Sequence, residues 1–204
     1  MSPQVGVGFS RRADGDLRYD FNARQVWADN NDAPTQWATV RQTHGTGVVE
    51  VSGPGDAGSA DALFTTTRGM GIAVFTADCA GVVLSADDMV GVAHSGWRGA
   101  LAGVVPALSE AMAVSGGVIA TARIGPMIGP CCFEVGEEVA AQFGPYRAIT
   151  TWGTTSVDLR RFLADQLRGL EVVVSESCTF HDLANWSHRR AGTPERMAAV
   201  AWLP

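Results

Sequence analysis

Among the four histidines and four cysteines of this 204-residue sequence, the types that ligate metals or act as nucleophile and base, His44, Cys79 and His94 each sit at the edge of an apolar run. Two neutral imidazoles and one thiolate suit Zn²⁺, and three protein ligands leave the fourth tetrahedral position open for water or substrate, which is the catalytic pattern. The intervals, 35 residues from 44 to 79 and 15 from 79 to 94, match no local zinc-finger spacing, so the fold has to bring the ligands together. The same set admits a metal-free scheme, with Cys79 as nucleophile, one histidine as base and the other as orienter. Either scheme needs the thiolate, which a metal or a histidine favours. The plainer reading of Cys79 is a small buried hydrophobe, the usual state of a free cysteine.

Other residues are candidates around this set. His94-Ser95-Gly96-Trp97-Arg98-Gly99 joins a strand to a helix, so its amides, the positive helix end and Arg98 could hold an anion such as phosphate. The lysine of a Walker loop is absent, and Gly96 and Gly99 could equally serve a tight turn and close helix packing. Gln42 lies two residues before His44 on the same strand face, where it could bind a ligand amide or ring nitrogen or simply face solvent. Asp78 could orient a histidine ligand or form a turn. Cys131 and Cys132 read as packing or wall for the pocket. His188-Arg189-Arg190 either closes over an anionic substrate or forms a solvated salt-bridge face. His181 is given no role.

The elements that must position these groups follow from pattern. Gly71 to Gly99 reads as two buried strands joined by an acidic turn at Asp87 and Asp88, with the thiol on the first side and the imidazole on the second. Val5 to Phe9 opens the chain as a strand. Phe21 to Trp27 reads as a short helix or strand, inside the poorly patterned stretch Leu17 to Asp32. Trp37 to Val40 and Val48 to Val51 read as strands flanking Arg41 to Gly47, and Gly53 to Ser59 as a surface loop. Ala100 to Val114 has helical spacing, Val118 to Ile124 is a strand, and two Gly-Pro steps make Gly125 to Cys132 a turn. A short helix over Val135 to Phe143 and a clear one over Asp158 to Leu170, with Ser156 as its cap, precede strands at Val172 to Ser175 and Met197 to Leu203. The irregular alternation argues for an α+β, or mixed α/β, sandwich in a single domain over residues 1–204.

Composition bounds the function. Hydrophobic residues at 46% supply a sizeable core, and a net charge of −6 without basic blocks gives no footprint for nucleic acid or an anionic membrane. Met1 to Gly15 has no apolar h-region, and no run approaches the ~18 residues of a membrane span, so a cytoplasmic address is expected. The four cysteines, two of them adjacent, are read as free thiols. The expected partner is a small molecule, and the expected state a monomer.

Several motifs together resemble the YfiH, or laccase-domain, family: Arg41-Gln42-Thr43-His44-Gly45, Ala60-Asp61-Ala62-Leu63, Thr76-Ala77-Asp78-Cys79, Val92 to Gly99, Ile124-Gly125-Pro126 with Ile128 to Gly136, and Ser187 with Arg189-Arg190. The resemblance implies a fold of mixed sheets covered by helices and a zinc site from His44, Cys79 and His94, copper being the other metal its names suggest. It implies phosphorolysis of adenosine, inosine, guanosine and methylthioadenosine, with adenosine deamination as a second activity. Copper-dependent polyphenol oxidation, or a Cys79 hydrolase or amidase acting on cell-wall precursors, are the alternatives. In place of the family's longer N-terminal loop and helix, this chain has Phe21-Asn22-Ala23-Arg24, which makes Arg24 the candidate substrate arginine beside Gln42 and Arg98.

Overall fold

The computed structural model describes residues 5–204. Its strands are β1 (Gly6–Phe9), β2 (Trp37–Arg41), β3 (Val48–Glu50), β4 (Gly55–Ser59), β5 (Ala62–Thr65), β6 (Gly71–Thr76), β7 (Ala80–Ser85), β8 (Val90–Ser95), β9 (Thr121–Ile124), β10 (Arg147–Ile149), β11 (Thr155–Val157), β12 (Glu171–Val174) and β13 (Met197–Trp202). The helices are α1 (Phe21–Asn30), α2 (Trp97–Ala102), α3 (Val104–Val114), α4 (Glu137–Ala140), α5 (Leu159–Gln166) and α6 (His188–Ala191). One mixed sheet has the order β1-β13-β6-β2-β4 and the other β12-β9-β7-β8-β5-β3, while β10 and β11 form a separate hairpin.

The central strands are apolar on both faces because each separates two cores. In β6, Ile72 and Val74 point between the sheets, whereas Ala73 and Phe75 point outward beneath Trp27 of α1. In β7, Val83 faces the space between the sheets, while Val82 and Leu84 face the core shared with Leu108 and Met112 of α3 and Leu163 of α5. A period-2 strand buried on both sides reads as a continuous apolar run, which is why these segments stand out in the sequence. The result is a mixed α/β sandwich: α1, sheet, sheet, then the α2, α3 and α5 layer. Among the described residues no helix is long and apolar enough to cross a membrane.

Several boundaries differ from the sequence reading. Gly71 to Ser85 is two strands, one in each sheet, and the chain crosses between sheets at Ala77 to Cys79. Hydropathy is blind to such a crossing because both sides of it are buried. Gly53 to Ser59 is not wholly a loop: β4 pairs in parallel with β2 as an edge strand, held by backbone bonds without a buried face. The Ala100 to Val114 helix is two helices, broken at Gly103, whose φ of 90° lies in the left-handed region. The strand expected from Val118 begins only at Thr121, with Val118 exposed. Ser156 does not cap α5. It lies in β11 and donates to the Pro130 carbonyl, while the Asp158 carboxylate accepts from the Arg161 amide as the true N-cap. Phe21 to Trp27 resolves as helix, capped by Asp20 and running on to Asn30. Met1 to Gln4, part of the N-terminal reading, lies outside the described residues.

Candidate functional site

His44, Cys79 and His94 come together, one ligand atom from each lying within 4.8 Å of the others. Each is delivered by a strand end. His94 is the penultimate residue of β8, in register with Gly81 of β7. Cys79 stands at the crossing between the sheets, immediately before β7. His44 follows β2 in the left-handed region, at φ 61°, and its ring meets that of His94 edge to face at 4.8 Å.

Asp61, at the head of β5, organises the set. Its buried carboxylate accepts from the amides of Thr43 (3.0 Å), His44 (2.9 Å) and Gly45 (2.7 Å), from the Thr43 hydroxyl (2.8 Å) and from His94 Nδ1 (2.9 Å). The three amide bonds hold the unusual backbone of His44 in place. The bond to Nδ1 leaves His94 Nε2 for the site. Burial pushes the Asp61 carboxyl up, but the His94, Gly45 and Thr43 hydrogen bonds outweigh it and hold the group well below the usual carboxylate range. Burial likewise works to lower His94, yet Asp61 and Cys79 raise it to about 9. Burial works to raise the Cys79 thiol, and His44 and His94 bring it down to about 6.

Asp78 was expected to orient a histidine ligand or to make a turn, and it does the latter. At φ 87°, its carboxylate accepts from the Thr179 hydroxyl (2.6 Å) and the Arg189 amide (2.7 Å), which pins the strand crossing to the loops behind it. The orienting carboxylate is Asp61 instead. Its signal in the sequence was a lone carboxylate heading a buried apolar run, since a buried charge requires partners.

The three donors open into a cleft of about 800 Å³. Tyr19, Phe21, Trp37 and Phe75 supply its aromatic walls, and Arg18, Arg24, Arg41, Arg196 and His188 line another side, with Arg18 paired to Asp16 and Arg41 to Asp56 of the same lining. Arg24 lies against the Trp37 ring at 4.5 Å, with Nε and Nη2 donating to the Leu17 carbonyl at 3.0 and 2.7 Å. Gln42 also lines the cleft, but its amide is engaged: Nε2 donates to the Phe75 carbonyl and Oε1 accepts from the Phe75 amide, each at 2.8 Å. The pair continues the bonding of β2 to β6 beyond the end of their ladder.

Arg98 is set outside the cleft, stacked on Trp97 at 4.2 Å. Cys131 and Cys132 do not form its wall either. They meet Cys178 and His181 in a second cluster. In the basic triplet, Arg189 donates to the Glu134 carbonyl and Arg190 to those of Thr179, Phe180 and Asn185, so these two brace loops, and only His188 reaches the cleft. Tyr19 and Phe21 were missed because Leu17 to Asp32 carries no clear period.

Donor chemistry bears on which metal the first set could hold. With Nδ1 of His94 bonded to a carboxylate, the remaining nitrogen, a second imidazole and a thiol match a three-ligand zinc site supported by an outer carboxylate. The spacing is compatible with the roughly 3.3–3.8 Å edges of a tetrahedral zinc set.

The fold is an α/β sandwich with a thiol and two imidazoles at the floor of a cleft lined by aromatic and arginine side chains. The chain belongs to the family described as multi-copper polyphenol oxidoreductase laccase, whose profile matches residues 10–204. It is 39% identical over 185 residues to a purine nucleoside phosphorylase of Streptomyces coelicolor, covering 83% of this chain and 76% of that one. It is 37% identical over 186 residues to one of Streptomyces griseus, covering 83% and 75%. YlmD from Geobacillus stearothermophilus shares the fold with a TM-score of 0.79 at 28% identity, over 92% of this chain and 81% of that one.

Proposed function

We propose that this protein is a zinc-dependent purine nucleoside phosphorylase, with His44, Cys79 and His94 as metal ligands. The observation that carries the reading is the juxtaposition of an open donor set with a cleft whose walls are aromatic on one part and rich in arginine on another. Relatives named purine nucleoside phosphorylase support it.

In phosphorolysis a phosphate oxygen bonds to the ribose anomeric carbon as the bond to the purine nitrogen breaks, and the departing base takes up a proton. The arginine side of the cleft attracts and orients the phosphate dianion. The exposed rings of Tyr19 and Phe21 offer surface for the purine, while the buried Trp37 ring backs Arg24 at the cleft wall. In this reading His188, which lines the cleft outside the donor set, is the group assigned to protonate the leaving base. Asp61 keeps His94 in one tautomer and orientation. A zinc ion held by His44, Cys79 and His94 would supply Lewis-acid chemistry to the site.

Adenosine, inosine, guanosine and methylthioadenosine are the substrates to assay, with deamination of adenosine as a second activity of the same site. Multi-copper oxidation fits less well: of the four histidines, His181 lies in the second cluster, which leaves too few imidazoles in the cleft for several coppers. The arrangement of Cys79 beside two histidines, one oriented by Asp61, also suits a thiol nucleophile acting as hydrolase or amidase.

One experiment separates these. Base release from adenosine and inosine, with and without phosphate, is measured alongside metal content for the wild type and Cys79→Ala. Phosphate-dependent release that is lost in Cys79→Ala together with one zinc ion per chain is the expected result. Release that survives the substitution unchanged overturns the proposal, and a covalent adduct trapped on Cys79 replaces it with the hydrolase.

A further inference from the structure

Behind the strand crossing that carries Cys79, two loops place four soft or borderline donors together. Cys131 Sγ lies 3.2 Å from Cys132 Sγ and 3.6 Å from Cys178 Sγ, and Cys132 Sγ lies 3.3 Å from His181 Nε2. One donor atom from each of the four residues falls within 4.8 Å of all the others. Tetrahedral zinc, with Zn–S near 2.3 Å and Zn–N near 2.0–2.1 Å, sets its ligand atoms about 3.8 Å apart for sulfur pairs and about 3.5 Å for sulfur and nitrogen. We propose that Cys131, Cys132, Cys178 and His181 form a second, closed zinc site that staples the turn containing residues 125–135 to the loop containing residues 175–185.

Alternatives account for less of the arrangement. A disulfide, whether vicinal or between Cys131 and Cys178, joins two of the three thiols and leaves the third sulfur and the imidazole unused. Apolar packing needs no imidazole. A four-coordinate cation of intermediate softness employs all four groups and, having no open position, is structural rather than catalytic. This sets it apart from the three-donor set in the cleft.

The scaffold is formed independently of the donors. Met127 and Cys178 pair as a parallel bridge, the Thr179 amide donates to the Met127 carbonyl, and the His181 amide donates to the Cys178 carbonyl. The Gly129 amide points at Cys178 Sγ at 3.2 Å, the outer-shell bond that suits a thiolate. A Cβ at Gly129 would stand 3.2 Å from Cys131 Sγ, a tight approach, and in ordinary contact with Cys178, so glycine leaves Cys131 its room. Cys132 is buried and His181 exposed, which gives the ion an entry from the His181 side. Three thiols each release a proton on binding, so the site carries one net negative charge when filled. Arg190, which grips the Thr179 and Phe180 carbonyls between two of the ligands, offsets it. The same loops hold Asp78, through the Ile128 amide to its carbonyl and the Thr179 hydroxyl to its carboxylate, so the staple also steadies the crossing that presents Cys79.

The test counts ions with the cleft set disabled. In Cys79→Ala, zinc or Co²⁺ added to apoprotein is expected to bind at one ion per chain, with a sulfur-to-cobalt charge-transfer band of the strength of three thiolates. Adding Cys178→Ser should weaken that binding by at least ~100-fold, more than loss of an outer-shell partner costs. Wild-type protein gives a readout free of substitution: zinc should shield the part-exposed Cys131 and Cys178 from iodoacetamide, and a chelator should expose them, as located by peptide mass mapping. No ion in Cys79→Ala, an ion indifferent to Cys178→Ser, or a Cys131–Cys132 or Cys131–Cys178 disulfide in protein isolated under reducing conditions would overturn the proposal.

Discussion

Asp61 Oδ1 lies 2.9 Å from His94 Nδ1, with the two side chains 0% and 4% exposed. A charge so enclosed is tolerated because five donors surround it, and the same five bonds couple the backbone at Thr43 to Gly45 to the ring of His94. Replacing Asp61 with Asn keeps the shape and turns an acceptor into a donor against these groups. Zinc affinity of the cleft set is expected to fall about 10–100-fold, read by chelator competition in a Cys178→Ser background. Unchanged affinity would separate Asp61 from the metal site.

The same carboxylate predicts an acid limb. Its folded pKa lies below its unfolded value, near 3.9, so its stabilisation is fully present above about pH 5 and is lost as pH falls further. Melting of the metal-free wild type should therefore begin to drop below about pH 5 and fall most steeply below about pH 4, and the drop should be shallower in Asp61→Asn. Parallel curves would show that the five bonds confer no net depression.

Gly96 allows the floor of the cleft to close. A Cβ there would stand 2.8 Å from Cys79 Sγ and 3.1 Å from His44 Cδ2, so Gly96→Ala must spread the donor set. At least a tenfold loss of zinc affinity and of turnover is expected, with little change in melting temperature. Full zinc binding by a folded Gly96→Ala protein would argue that the three donors do not act as one site.

Gln42 is expected to act through position. Gln42→Ala removes two bonds to the backbone of Phe75 and should destabilise the fold by about 1–3 kcal/mol in urea unfolding. KM should rise with the displacement of Phe75, while metal content stays unchanged. A rise in KM with no loss of stability would mean instead that the amide contacts substrate.

At Gly103 the usual preference for alanine in helices is reversed. Its φ of 90° breaks the chain between α2 and α3, and Gly103→Ala should cost about 1 kcal/mol or more in thermal unfolding. A gain in stability would mean that the two helices can merge into one.

What the sequence determined by itself is the family, the residue types open to a site and much of the local structure. The types and strand-end positions of His44, Cys79 and His94 pointed to one metal or nucleophile set, and apolar strands and the α5 stripe set the α/β class. Their motifs, taken together, identified the family. These are properties of side-chain type and near-neighbour periodicity, which a linear chain displays directly.

Tertiary structure alone decided which groups meet. That β6 and β7 belong to different sheets is hidden by burial on both sides, and the crossing it forces is what presents Cys79. Asp61, and not Asp78, orients His94 because strand pairing rather than sequence proximity to Cys79 brings β5 alongside β8. Arg98 turns onto Trp97, Gln42 onto a backbone, and Cys131, Cys132, Cys178 and His181 converge across a separation of about fifty residues. Contacts between such distant residues depend on the register and packing of intervening elements, and no local pattern of residues encodes them.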